Sequence, residues 1–411
     1  MSKALAVIAL CLIATACRGQ APQRQSKVDP ALTALVDTLL PKLEVLSGLK
    51  KLKPVALAEQ SREDLRKYIE SRLNEEMPPK ELEGIRQTYV ALGLIPDTLN
   101  MRAMLLDLYQ EQVAGYYDPK TDKFYLIQGT PIALLRPVLA HELVHALQDQ
   151  HQNLDSLISR SRGNDRQSAA QAAIEGHATV VMFALMLQEA SGQPIMPNAL
   201  PNLSAQLQPA LDAQNSAYPV FKNAPRIFRE TMVFPYLAGA GFVQKLWNAK
   251  ATDSYIAPLD SLLPQSTEQV LHTQTHFLAE RDEPTEVRFS NTANVLYENT
   301  LGEMEMGILL SQHLGLKSND AAAGWDGDRY QLIEVKGNQV LVWQSIWDSS
   351  LYADKFKNNY ELIGRKRKTR AVQVIRNKVE GREGVLVIDA DNSIDPSAWS
   401  GYTRQTIRLV K

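Results

Sequence analysis

The sequence predicts an α+β protein: a mostly helical body with a β-hairpin just before its central helix, then a small α+β domain at the C-terminal end. Three observations lead there. Apolar residues recur at helical spacing through most of the chain; the period switches to alternation around residues 114–127; and short β-rich runs flank one helical run after residue 325. The composition is that of a folded protein, with 411 residues, 45% hydrophobic and 22% charged. This excludes a disordered chain and a multi-span membrane protein, and at about 150 residues per unit the length suits two or three compact units. The formal charge of −2, from 44 Lys+Arg against 46 Asp+Glu, argues against nucleic acid as a partner.

Residues 1–16 read as a signal peptide. Met1-Ser2-Lys3 supplies a positive start, residues 4–13 are an apolar run too short for a normal membrane span, and the small residues Ala14-Thr15-Ala16 precede Cys17. That ending resembles a bacterial lipobox, with Ala14 where the motif prefers Leu. The resemblance implies lipidation of Cys17, attachment to a membrane of the cell envelope, and a lipidated tether over 17–28. Ordinary secretory cleavage is the alternative.

Residues 29–112 carry a helical pattern throughout. Ser61 and Asp64 form a capping pair ahead of Leu65, Ile69 and Leu73, which line one helix face. A second helix is predicted over 80–92, closed by Gly93 and Pro96, and a third over 99–113. The hairpin pairs 114–117 with 124–127 across the turn residues 118–122. Long helices are predicted over 137–151, 166–189 and 226–248. The interval 191–225 holds six of the 21 prolines and reads as an irregular excursion. A unit spanning 113–293 is thus expected to carry the chemistry. After it, 294–411 forms the small domain: a helix, strands at 330–334 and 340–346, a helix at 349–360, and strands at 371–376 and 384–388.

His141-Glu142-Leu143-Val144-His145 is an HExxH motif. At 100° per residue, the histidines of such a helix lie about 40° apart, so both imidazoles reach one ion, and Glu142 stands beside the same point. Leu139, Leu143, Ala146 and Leu147 face the opposite way, toward a core. Two imidazoles and one further protein ligand leave a zinc ion a position for water, and a neighbouring carboxylate can take that water's proton. Glu142 is therefore the expected catalytic base, and His141 and His145 are expected ligands of one Zn2+ per chain. With Cys11 discarded and Cys17 acylated, the metal must be held by nitrogen and oxygen.

Two residues compete for the third position. His151 has the spacing of a longer HExxHxxGxxH pattern, but Gln148 replaces the glycine that would turn the chain back, and in an unbroken helix His151 points about 120° away from His145. Glu175 is favoured, since it lies on an Ala-rich helix that permits close approach. His177 points about 200° away from Glu175 and reads as a packing residue.

The segments Gly115-Tyr116-Tyr117-Asp118-Pro119, His141 to His151 and Glu175-Gly176 resemble a group of bacterial exported gluzincin-like metallopeptidases. So do Phe234-Pro235-Tyr236 with Gly241-Phe242-Val243, Ser266-Thr267-Glu268-Gln269-Val270-Leu271-His272, Gly324 to Tyr330, and Trp347-Asp348. The resemblance implies a zincin-like fold, a zinc site on His141, His145 and Glu175, and a peptide or protein substrate. It marks the later segments without giving them a role.

Weaker candidates surround this set. The hairpin is placed to bind an extended peptide by strand addition. Asp149 is a candidate to orient His145, and Tyr236 and His272, with His276 behind them, are candidates to stabilise an oxyanion. Glu303, Trp325 and Trp347 are expected at the junction with the C-terminal domain. The basic run 365–370 reads as a solvated turn, with anionic lipid the less favoured partner. A zincin scaffold that binds peptides or serves envelope assembly without turnover is the alternative function; a metal site acting on a non-peptide amide or ester is a third.

Overall fold

The described chain begins at a helix cap: Asp29 accepts the N–H of Ala31, and α1 (Pro30–Ser47) runs from there to Gly48 in the left-handed conformation. The computed structural model describes residues 29–411 except 131, 160–162, 201, 204, 206–217, 250–255, 291–293, 336, 398–406 and 411. The predicted signal peptide and tether, Cys17 included, lie outside the described residues, as does part of the proline-rich interval.

The predicted cap on Ser61 forms, its side chain accepting from the N–H of Asp64, and α2 (Arg62–Glu76) buries Leu65, Ile69 and Leu73. Helices α3 (Pro79–Ala91) and α4 (Met101–Gln112) follow. Between α1 and α2 the helical pattern breaks, contrary to expectation, at a short strand, β1 (Ala56–Gln60). This strand exists because it pairs in parallel with β3 (Lys123–Ile127), some 67 residues later in register (Ala56↔Lys123), and no local pattern signals that. The predicted hairpin is β2 (Gly115–Asp118) against β3, so the sheet order is β1-β3-β2 and β2 is an edge. Tyr116 stacks between Tyr68 of α2 and Tyr125 of β3, at 4.2 and 5.1 Å between ring centroids.

Helix α5 (Ile132–His151) packs under β2, and after the short α6 (Leu154–Leu157) comes α7 (Asn164–Ser191), the spine of the molecule. α7 is apolar and long enough to span a membrane, but 72% of its most apolar window is buried inside the protein. Helices α1, α5 and α9 (Arg226–Ala249) cover it; α8 (Pro219–Asn223) is a single turn before α9. The contact with α9 depends on glycine. A Cβ on Gly176 would lie 2.2 Å from the backbone of Gly239, and one on Gly239 would lie 2.1 Å from the carbonyl oxygen of Ala172. The small residues of α7 thus serve chiefly its seat on α9, which the sequence reading had assigned to α5.

Beyond α10 (Thr267–Leu271) and a π-wound turn at Gln274–Ala279, the chain enters its second sheet. β4 (Glu286–Phe289) pairs with the final strand β10 (Ile407–Val410). The main sheet is antiparallel in the order β5-β6-β7-β9-β8, with β5 at Val295–Asn299, β6 at Trp325–Val335, β7 at Asn338–Trp347, β8 at Arg370–Val379 and β9 at Arg382–Asp391. Helix α11 (Gly302–Leu314), the short α12 (Ser318–Ala321) and α13 (Ser350–Lys366) complete the α+β architecture. Trp343, Trp347, Phe356 and Tyr360 form one aromatic cluster where α13 meets the sheet. The junction is keyed by Asp328, whose buried carboxylate accepts from the N–H groups of Leu301, Gly302, Trp325 and Trp343. The basic run is partly structural: Arg367 and Arg370 both pair with buried Asp389.

Candidate metal centre

One turn of α5 separates His141 from His145, so their rings project from the same face, edge to face with centroids 4.6 Å apart. Midway along α7, Glu175 projects against them. The His141 and His145 Nε2 atoms are 3.0 Å apart, and Glu175 Oε2 lies 3.0 Å from the first and 3.3 Å from the second. Donor atoms on a tetrahedral ion at about 2.0–2.1 Å stand about 3.3 Å from one another, so this triangle fits zinc closely. The chemistry of the set also calls for a cation. Two imidazole nitrogens face each other with a carboxylate beside them, and the other oxygen of Glu175 is buried with no hydrogen-bond partner.

The orientation of His145 is set by Gln148, a role not foreseen from sequence. Gln148 Oε1 lies 2.7 Å from His145 Nδ1, while its Nε2 donates to the carbonyl of Ile174 at 3.0 Å and lies 2.9 Å from His177 Nδ1. Because the amide nitrogen is committed to a carbonyl, the oxygen must face His145. An oxygen only accepts, so Nδ1 carries a proton, and Nε2 is the atom left to take either a second proton or a metal. His177 thus belongs to the support of the site and packs edge-on to Trp247. The one signal for Gln148 in the sequence was that glycine is absent there.

Glu142 is fully buried, and its Oε2 accepts the backbone N–H of Tyr117 on edge strand β2 at 2.8 Å. Asp149 does not orient His145: it accepts the Tyr117 hydroxyl at 3.1 Å, a bond that ties the end of α5 to β2. His151 turns outward to the carbonyl of Lys50 at 2.7 Å and is far from a ligand's position. Tyr236 is brought alongside, its ring centroid 6.1 Å from that of His141. His272 takes another partner, Glu303 Oε1 at 2.8 Å, and His276 is paired with Asp282. Helical phase alone could not show this, because both histidines sit where a short helix passes into a π-wound turn.

The electrostatics are those of a place prepared for positive charge. Burial pushes His141 below its ordinary range. Burial acts the same way on His145, but the charge of Glu175 and its hydrogen bond, with Glu142 and Gln148 behind them, lift it to about 9. Glu175 is itself pushed up by burial, yet the two imidazoles hold it below the usual carboxylate range. Without an ion, then, a proton on His145 supplies the charge.

All four residues are at most 3% exposed. A cavity of about 760 Å³ lies against α9, lined by Phe221, Val233, Phe234, Leu237, Gly241 and Gln244 among others. Phe221 belongs to α8 and the other five to α9, and neither Tyr236 nor Gly239 lines this cavity. A second cavity, of about 670 Å³, lies between α2, α3 and the C-terminal region near Arg72, Glu76, Gln167 and Glu305. Neither is lined by His141, Glu142, His145 or Glu175.

A family model described as "Domain of unknown function (DUF8575)" matches residues 292–408, from just before β5 into β10. No curated protein and no solved structure matches the chain.

Proposed function

We propose that the protein is a zinc-dependent metallopeptidase of gluzincin type with a zincin-like catalytic region, exported and lipid-anchored at Cys17 in the bacterial cell envelope. The observation that carries this reading is the convergence of His141, His145 and Glu175 donor atoms within 4.8 Å of one another, with Glu142 held beside them by β2. Bound there, zinc would lower the pKa of a water toward about 7 and polarise a peptide carbonyl. Glu142 is the base that takes the proton of the attacking water and returns it to the leaving amine. The Tyr117 N–H steadies the Glu142 carboxylate, and the Gln148 amide keeps His145 in the tautomer whose Nε2 can coordinate. Edge strand β2 runs beside Glu142, but it is buried along its length and its Tyr117 N–H is taken by that carboxylate, so strand addition of a peptide would need this edge to open. Tyr236 is the candidate donor to the oxyanion.

Complete burial of the four residues favours a second reading, a zincin scaffold that holds metal and binds peptide without turnover. Glu142→Gln separates the two. For a peptidase, this variant keeps about one zinc per chain but loses cleavage of a peptide library by about 10²–10⁴-fold. Glu175→Ala loses the zinc and His151→Ala does not. Equal behaviour of wild type and Glu142→Gln, with zinc bound to both, would establish the binding reading. Zinc retained by Glu175→Ala would remove the gluzincin assignment.

A further inference from the structure

The segments 266–272, 324–330 and 347–348 take no part in the chemistry just described, yet they meet at one place. There, Glu268 is 1% exposed and neither of its carboxylate oxygens has a hydrogen-bond partner. A buried carboxylate left without hydrogen bonds is costly and calls for an explanation. Glu268 Oε1 is 4.0 Å from His276 Nδ1, and that same nitrogen is 3.2 Å from Asp282 Oδ2. Asp348, just past the end of β7, offers an oxygen to the same point, so that single atoms of Glu268, His276 and Asp348 all lie within 4.8 Å of one another.

The surrounding charges are mainly negative. Glu303 and Asp326 also act on Glu268, but each has its own cationic partner: His272 at 2.8 Å from Glu303 and Arg382 at 2.5 Å from Asp326. Glu268, Asp282 and Asp348 are left to share His276. We propose that Glu268, His276 and Asp348, with Asp282 alongside, bind a divalent first-row transition cation that is separate from the His141 centre. The mixed set of one imidazole and several carboxylates suits Zn2+ or Mn2+ better than the all-oxygen preference of Ca2+ or Mg2+.

The position indicates what the ion does. Glu268 stands on α10, His276 on the π-wound turn and Asp348 on the C-terminal sheet, so one ion fastens that sheet to the helical body. The π winding is a rare local geometry that recurs at functional sites.

Titration of the mature full-length chain with Zn2+ and with Mn2+, read by calorimetry and by metal analysis after desalting, tests this. Wild type should take about two equivalents of Zn2+. His276→Gln and Asp348→Asn should each lose one equivalent, or bind it about 100-fold or more weakly, and lose the cation-dependent rise in melting temperature that this site gives. Asp348 is exposed, so its Asn variant tests the ligand with little risk to the fold. Glu175→Ala should lose the other equivalent. If both His276→Gln and Asp348→Asn keep wild-type stoichiometry and affinity, the second site is refuted. If instead Glu175→Ala changes nothing while those two variants each lose an equivalent, the junction site stands and the peptidase reading fails.

Discussion

His141, His145 and Glu175 come from two long helices, and Gln148 fixes the ring of His145 from within the same pair of helices. Glu268, His276 and Asp348 come from a five-residue helix, a π-wound turn and a position just beyond a strand, and the last two are at least partly open to solvent. The first group is buried in the core, on two helices packed against each other. The second gathers several carboxylates around the single imidazole of His276 at a seam. Geometry built on rigid elements suits chemistry, which needs atoms placed to within a fraction of an ångström; geometry built across a seam suits fastening.

The comparison breaks most severely at the glycine contact under Glu175. Gly239→Ala forces a methyl group to 2.1 Å from the Ala172 carbonyl. It should cost about 3 kcal/mol in urea unfolding and weaken metal binding at the helical centre, while the cation bound by His276 and Asp348 keeps its affinity. Equal loss at both sites would show that the helical body and the junction are not separable.

Next in size is a pH effect on the metal-free protein. His145 is raised to about 9 in the fold, from about 6.5 in an unfolded chain. Its contribution is therefore complete below about 6.5 and is lost as pH rises through about 9, an expected decline of about 3 kcal/mol. On the proposed reading zinc would take the proton's place, so the loaded protein should lack this decline. Chemical denaturation at pH 6 and pH 9.5, with and without zinc, measures it. An identical decline with zinc bound would mean that the ion does not sit against His145.

The smallest effect sharpens the contrast. Gln148→Ala removes the group that orients His145 and should weaken zinc binding there by 10–100-fold, about 1.4–2.7 kcal/mol, without touching the junction site. Unchanged affinity in a competition titration with a chelator would show that helix packing alone holds the ring.

Much of the helical centre was legible in the sequence because its information is local. Two histidines four apart must share a helix face, and Glu175 on an Ala-rich helix was the better of two third candidates. The cap on Ser61 and the hairpin at 114–127 were legible for the same reason. The misreadings share the opposite cause. β1 is a strand only because β3 accepts it, and β5 likewise depends on β6. Asp149 had the right helical phase to orient His145, but phase does not reveal that Tyr117 would claim its carboxylate or that Gln148 would be anchored by Ile174 on a second helix. His272 and His276 seemed free for an active site until packing placed Glu303 and Asp282 beside them.

By itself, the sequence determined which residues could form one helical face and which side chains carry coordinating atoms, because covalent order and the 3.6-residue turn leave little freedom over four residues. Only the tertiary structure decided which distant groups meet. That depends on where glycine lets α7 and α9 touch, on which strand accepts β1, and on how the C-terminal sheet brings Asp348 to Glu268. Such choices are settled by burial and packing over the whole chain.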